Sequence, residues 1–371
     1  MKILISPNAF KGTMSARVAG EIIDNFLKES QPEILTKMIP IADGGDGTCE
    51  LLTKALGLKK ISTWTLDPFG RPMIGEFGLE TNSKKAFIDV STASGIGLIG
   101  DEIKNPFVAS SFGTGFLIQK AVKEGAEEII LGLGGSATID LGVGILAALG
   151  ISFLDEKGRE ITPFSLDYLS RIRHIQRPPK LPEIRFTCLC DVRNTFLGSN
   201  GAIPVFGPQK GLNESEVDLY ERTCEKVIQM ISSKVKKGFE DKSGFGAAGG
   251  IALGLSAFFP LEIEFGAAYF FEKVNLLDDV KWADIVITGE GKYDAQSTEG
   301  KACFELLQLA KNQQKKIILI TSEKEAFQAG FDDVLVLPEL NFFDSDYKSK
   351  ARENLLGLLK SELKGKLRGK A

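Results

Sequence analysis

The segment Ile129-Ile-Leu-Gly-Leu-Gly-Gly-Ser-Ala-Thr-Ile-Asp140 decides how this chain is read. Its first three residues form an apolar run of the buried-strand type. The run stops at glycines, and a helical pattern begins at Leu141. A strand that breaks at glycine and passes into a helix start suits phosphate. Glycine lets the backbone approach closely, while free N–H groups and the positive helix end favour an anion. Gly132-x-Gly134-x-x-Ala137 also satisfies the dinucleotide fingerprint in form. It lies outside the first βαβ unit, however, and Ser136 to Asp140 bring hydroxyls and a carboxylate that a pyrophosphate turn does not need. Several similar junctions occur in the chain, and together they imply a nucleotide-dependent enzyme.

Outward from this segment, strand and helix alternate. Residues 2–6 read as a strand, and Ser15 as the N-cap of a helix with Ala19, Ile22, Ile23, Phe26 and Leu27 on one face. Residues 38–42 read as a second strand, followed by Asp43-Gly-Gly-Asp-Gly-Thr48 and a helix to Leu56. Residues 61–66, 72–79 and 85–90 have an antiparallel rhythm. Residues 113–123 predict a helix, 128–131 a strand and 141–149 a helix. Further on, 183–189 read as a strand ending at Asp191, and 215–234 as a long amphipathic helix. Residues 285–288, 317–321 and 334–336 read as late strands. The pattern is α/β with mostly parallel sheets. Residues 1–60 plus 275–371 are expected to form one α/β domain, with residues 61–274 inserted as a second.

The bulk properties agree with this class. The 371 residues favour two domains over one, and 43% hydrophobic with 25% charged residues is ordinary globular composition. A net charge of −4 gives no sign of a nucleic-acid surface. No run reaches membrane-span length. The N-terminus reads as a strand rather than a signal peptide. Five scattered cysteines suit reduced, buried thiols, and with the other features they point to a cytoplasmic protein.

Several groups of residues bear chemistry. Asp43-Gly-Gly-Asp46 sets two carboxylates in a glycine frame at a strand end, where they can hold Mg²⁺ together with waters and substrate phosphates. Asp191 leaves a strand end with Asn194 three residues on, and in open α/β sheets ligands sit outside the carboxyl ends of strands. Lys210 lies in Gly207-Pro-Gln-Lys-Gly211, a stiffened loop suited to a phosphate-binding cation. Thr288-Gly-Glu-Gly-Lys-Tyr-Asp294, with Gln296 beyond, offers acids, a hydroxyl and a lysine to a metal nucleotide. There is no GxxxxGK[ST] and no protein-kinase signature. The single histidine, His174, sits in a charged surface-type segment, which argues against Ser-His-Asp chemistry. Phosphoryl transfer fits this inventory, because it rests on positioning and charge neutralisation by lysines, Mg²⁺-binding acids and glycine loops.

The set of motifs resembles the type I bacterial glycerate kinases over nearly the whole chain. The residues carrying the resemblance are Ala9-Phe-Lys-Gly12, Pro40-Ile-Ala-Asp-Gly-Gly-Asp-Gly-Thr48, Gly113-Thr-Gly115 and Gly132-Leu-Gly-Gly-Ser-Ala-Thr138 with Asp140. To these are added Cys190-Asp-Val192 with Asn194, Gly207-Pro-Gln-Lys-Gly211, Gly246-Ala-Ala-Gly-Gly250 and Thr288-Gly-Glu-Gly291 with Asp294, Gln296, Gly300 and Lys301. The resemblance implies a kinase that uses ATP and Mg²⁺ to convert D-glycerate to 2-phosphoglycerate. It also implies two α/β domains, one flavodoxin-like and one restriction-endonuclease-like, with the active site in the cleft between them. This chain departs from the family pattern in places. Asn8 and Ala9 stand where the family commonly has Asp-Ser, Asp46 where it has Glu, and Thr321-Ser322 where it has an Ala-Gly turn.

On this reading Asp191 is the expected general base, with Asp294 second and Lys11 as a catalytic cation. Asn8, Lys210, Asn194, Gly134, Gly135 and Ser136 are expected to bind substrate or phosphate. Gly289, Glu290, Gly291 and Gln296 are expected at the nucleotide, and Asp43 and Asp46 at the metal. The alternatives are a kinase forming 3-phosphoglycerate, an NAD-dependent hydroxy-acid oxidoreductase resting on the glycine fingerprint, and a non-catalytic glycerate sensor. The expected partner is the small substrate alone, without nucleic acid or membrane, and with a homodimer as the candidate assembly.

Overall fold

The structure is a computed structural model that describes residues 1–100, 103–236, 238, 240–293 and 301–367. In chain order the strands are β1 (Lys2–Ile5), β2 (Leu35–Met38), β3 (Lys59–Leu66), β4 (Pro72–Glu80) and β5 (Lys85–Asp89). They continue with β6 (Glu128–Gly132), β7 (Ser152–Leu154), β8 (His174–Gln176) and β9 (Arg185–Cys190). The last four are β10 (Leu261–Phe265), β11 (Ile285–Gly289), β12 (Lys316–Thr321) and β13 (Asp333–Val336). The chain divides into two compact units, one of residues 1–43 with 267–371 and the other of residues 44–266.

In the first unit the named strands pair in parallel, in the order β2-β1-β11-β12-β13. Counted within the unit, this is 2-1-3-4-5, a doubly wound order whose direction reverses between β1 and β11. Helix α1 (Ala16–Ser30) starts where expected, with Ser15 accepting from the Val18 N–H, and buries Ala19, Ile23, Phe26 and Leu27 against the sheet's Ile3, Ile5, Ile287 and Ile320. Residues 38–42 were expected as a strand, but β2 is Leu35–Met38 and residues 39–42 continue beyond it. The N–H groups of Ile39 and Ile41 still donate to Ile5 and Pro7, but Pro7 and Pro40 have no N–H with which to complete a ladder. The hydrophobic run therefore marked the buried exit from the strand rather than the half-exposed edge strand itself.

In the second unit β10, β9, β6 and β5 are parallel, and β4 and β3 add the antiparallel meander that the turns predicted. β10 was not read from the sequence, although Leu261-Glu-Ile-Glu-Phe265 alternates as a one-faced strand should. β7 and β8 form a separate two-stranded antiparallel sheet, and His174 in β8 is exposed as expected. The core runs through Leu117, Ile129, Leu131, Ile145, Phe186 and Ile251. All five cysteines are buried and free. Among the described residues no helix is long and apolar enough to cross a membrane.

The domain limits shift for a packing reason. Helix α2 (Thr48–Ala55) lies on β4 and β5, so the second unit begins at Gly44 rather than near residue 61. The helix expected at 141–149 is also shorter, at Val143–Ala148, because Leu141 and Gly142 both have positive φ.

Candidate functional site

In the first unit the carboxyl ends of β1 and β11 flank the point where strand order reverses, the usual ligand position in such sheets. Asn8 follows β1 and Glu290 follows β11, and the Asn8 N–H donates to the Gly289 carbonyl at 2.8 Å. Asn8 Nδ2 donates to Asp43 Oδ2 at 3.0 Å, and both side chains are buried. An amide at position 8 thus anchors a carboxylate, a role a second carboxylate could not fill without repulsion. Glu290 is 5% exposed, and its Oε1 has no hydrogen-bond partner among the described residues. Burial first, and then the neighbouring Asp43 charge, push its carboxyl up to about 7. Lys11 and Lys301 oppose that shift. Gly291 accepts from the Ser322 N–H, and the Thr321 hydroxyl accepts from the Tyr293 N–H. Thr321, a departure from the family pattern, therefore holds the expected nucleotide segment in place.

Asp43 and Glu290 form a pair of neighbouring buried carboxylates, one of them with an orphan oxygen, which suits a cation. No cluster of three or more metal-ligating side chains occurs among the described residues. That is compatible with Mg²⁺, which takes one or two protein carboxylates and completes its shell with water and phosphate. Asp294 and Gln296 lie outside the described residues.

In the second unit three segments meet at the carboxyl ends of β5, β6 and β9. Asp89 ends β5 and accepts from the Cys49 and Glu50 N–H groups at the start of α2. Burial pushes its carboxyl up to about 7 against those two bonds. Sequence reasoning missed this residue. A Cβ on Gly132 would stand 2.5 Å from Asp89 Oδ1, so the first glycine of the fingerprint serves clearance. A Cβ on Gly134 would stand 2.2 Å from the backbone of Gly45 and Asp46, so the glycine loops of residues 44–47 and 133–142 pack backbone to backbone. Asp46 is exposed on that contact, with Gly135 against its side chain. Gly44 packs on the backbone of Cys190, which brings half-buried Asp191 to the same loop.

Gly134, Gly135 and Ser136 do not lie at a helix N-terminus as expected. Six residues separate Ser136 from Val143, and Asp140 occupies the helix start by accepting from Gly142 and Gly144 as well as from Ser111. The loop is pinned on both sides instead. Ile96 N–H donates to Gly135 and Ala137 N–H to Ser94, while Leu141 N–H donates to Gly249. The N–H groups of Gly134, Gly135 and Ser136 make no hydrogen bond to the protein among the described residues. Gly135 has φ +65°, and a left-handed residue within a run of unbonded N–H groups is a common feature of anion-binding turns.

Lys210 closes this loop from below. It is 5% exposed, and its Nζ donates to Ser136 Oγ at 2.7 Å and to the Thr138 carbonyl at 2.9 Å. Asn194 is placed differently, since its Nδ2 is spent on the Asn200 carbonyl within its own loop.

The glycerate kinase family model matches residues 3–358. A glycerate 2-kinase of Escherichia coli K12 is 34% identical over 356 residues, covering 94% of this chain and 93% of its own. A glycerate kinase of Haemophilus influenzae is 35% identical over 364 residues and 96% of each chain. A crystal structure assigned as glycerate kinase 2 of Salmonella typhimurium LT2 superposes with a TM-score of 0.81 at 30% identity, over 99% of this chain and 98% of that one. The family match spans the carboxylate pair of the first unit and the pinned glycine loop of the second alike, and the chain belongs to the glycerate kinase family.

Proposed function

We propose that this chain transfers the γ-phosphoryl group of ATP to the 2-hydroxyl of D-glycerate, releasing ADP and 2-phosphoglycerate. The observation that carries the reading is the pinned loop whose Gly134, Gly135 and Ser136 N–H groups bond to no acceptor among the described residues while buried Lys210 donates to Ser136. A rigid set of donors that needs no rearrangement is what stabilises charge on a transferring phosphoryl group or fixes a substrate oxyanion. The name of the Escherichia coli relative supports the 2-position.

In this reading the glycerate hydroxyl oxygen attacks the γ-phosphorus, the bond to the β-phosphate oxygen breaks, and the hydroxyl proton passes to Asp191. Asp191 suits the task because it leaves the end of β9, half-buried, against the glycine loops. Gly289, Glu290 and Gly291 receive the nucleotide phosphates at the strand-order reversal, with Lys11 adding positive charge. Asp43 and Glu290 would hold Mg²⁺, which when bound neutralises charge on the phosphates.

The test is to incubate the protein with ATP, Mg²⁺ and D-glycerate and pass the product to enolase without phosphoglycerate mutase. Phosphoenolpyruvate formed directly is the expected result. A signal only after mutase is added would assign the 3-position, and no ADP at all would overturn the reading.

A further inference from the structure

Lys210 is held in an unusual way for a buried cation. A buried ammonium is normally paired with a carboxylate, because an isolated charge costs far more to bury than a paired one. Here both hydrogen-bond partners are neutral, the Ser136 hydroxyl and the Thr138 carbonyl. Among the described residues the carboxylate whose charge acts on it is Asp140. That group is already committed to the Ser111 hydroxyl and to the N–H groups of Ser111, Gly142 and Gly144. Among the described residues no second carboxylate acts on the amine, although Asp46 packs against Gly135, one residue from Ser136. Residues 202–206 and 246–250 carry no ionisable side chain, and neither do residues 133–139. Lys104 approaches through its backbone carbonyl, at Gly211. Tyr220, buried nearby, donates its hydroxyl to the Ile139 and Pro106 carbonyls. Burial accordingly pushes the Lys210 amine down to about 7, against the pull of Asp140.

The same surroundings are rich in donors. Ser136 Oγ accepts from Lys210, so its own O–H is available to donate outward. Two N–H bonds account for two of the three donors of an ammonium. Beside them stand the free N–H groups of residues 134–136. The donors are in place, and among the described residues no carboxylate hydrogen-bonds to the amine.

We propose that the Lys210–Ser136 pocket is an oxyanion site that binds its ligand together with a proton: the amine is neutral while the site is empty and becomes an ammonium when an oxyanion fills it. The proton comes from solvent, no bond other than N–H forms, and the net charge of the complex is unchanged by the paired uptake. The ligand class is a carboxylate or a phosphoryl oxyanion. Neutral analogues of the same shape, lacking that charge, bring no reason for the amine to protonate. Lys210 is in this sense the residue that selects acids over neutral alcohols. The inference rests on the reading of residues 134–136 as an anion loop, but it adds a requirement that the reading alone does not carry.

The test is calorimetric titration of the intact protein at about pH 8 in two buffers of different ionisation enthalpy. D-glycerate and inorganic phosphate are the two probes, used in separate arms. Uptake of close to one proton per bound anion is expected, and the arm that shows it names the occupant. Lys210→Arg, which stays charged at any accessible pH, should bind without uptake. Lys210→Met should lose the uptake and bind at least about tenfold more weakly. Binding by the natural protein with no proton uptake in either arm would overturn the coupling while leaving the anion loop intact. Failure of both anions to bind would instead overturn the underlying reading of the loop. Full uptake retained in Lys210→Met would assign the proton to another group.

Discussion

Asp191 and Lys210 carry the sharpest consequences for single residues. If Asp191 accepts the hydroxyl proton, Asp191→Asn lowers kcat by about 10²- to 10⁴-fold with little change in KM. Steady-state kinetics check this, and a kcat within a few-fold of the natural protein would remove Asp191 from the role. Lys210 also leaves a mark on stability. The unfolded lysine titrates near its ordinary value of about 10.4, whereas the folded one titrates at about 7. Between these values the unfolded chain binds more protons, so stability rises with pH across that window and the burden of the buried charge is fully present below it. Lys210→Met should therefore have the higher Tm near pH 6.5 in the absence of ligand, with the gap closing towards pH 9.5. A gap independent of pH would contradict the assignment. The sequence marked both residues by their surroundings, a strand end and a Gly-Pro loop. It did not show that Asn194 is spent on Asn200, nor that Asp89 caps α2, because both depend on partners brought together only by the fold.

The same limit holds for whole elements. The opening segment was legible as strand, glycine turn and donor-rich loop, because an apolar run ending at glycines constrains the local backbone. Its helix N-terminus was misread. Periodicity cannot report that Leu141 and Gly142 sit at positive φ, or that Asp140 has already taken the helix-start N–H groups. β10 was missed because its alternation is short and carries two glutamates, although it pairs along its length with β9. The packing of the two glycine loops yields a contrast between two alanine substitutions. At Gly134 the added carbon meets backbone at 2.2 Å and nothing flexible can yield, so Gly134→Ala should cost about 1–3 kcal/mol and depress kcat. At Gly47 nothing lies within 4 Å, and only φ +79° opposes a side chain. Gly47→Ala should cost about 1–2 kcal/mol and leave the loop of residues 133–142 undisturbed. Denaturant unfolding with paired activity assays separates the two, and equal losses of activity would argue against a special packing role for Gly134.

For the molecule as a whole, the alternation of strands and helices was enough to give the α/β class and the discontinuous first unit, because crossover helices and parallel strands imprint themselves on hydrophobic periodicity. The limits of the units were set by packing. α2 has the composition to join either unit, and its burial on β4 and β5 places it in the second. Residues 44–266 are one continuous stretch with their own core and mixed sheet, whereas the first unit needs both ends of the chain. The isolated 44–266 fragment should therefore unfold in a single cooperative thermal transition followed by circular dichroism. A broad, non-cooperative melt would show that its core depends on the rest of the chain. The central claim, that the chain phosphorylates the 2-hydroxyl of D-glycerate from ATP, is tested most directly by proton-coupled ³¹P NMR of the unprocessed reaction mixture. The expected result is a new phosphate-ester resonance split into a doublet by the single proton on C2. A triplet from the two C3 protons, or no new ester resonance beside the ADP signals, would contradict it.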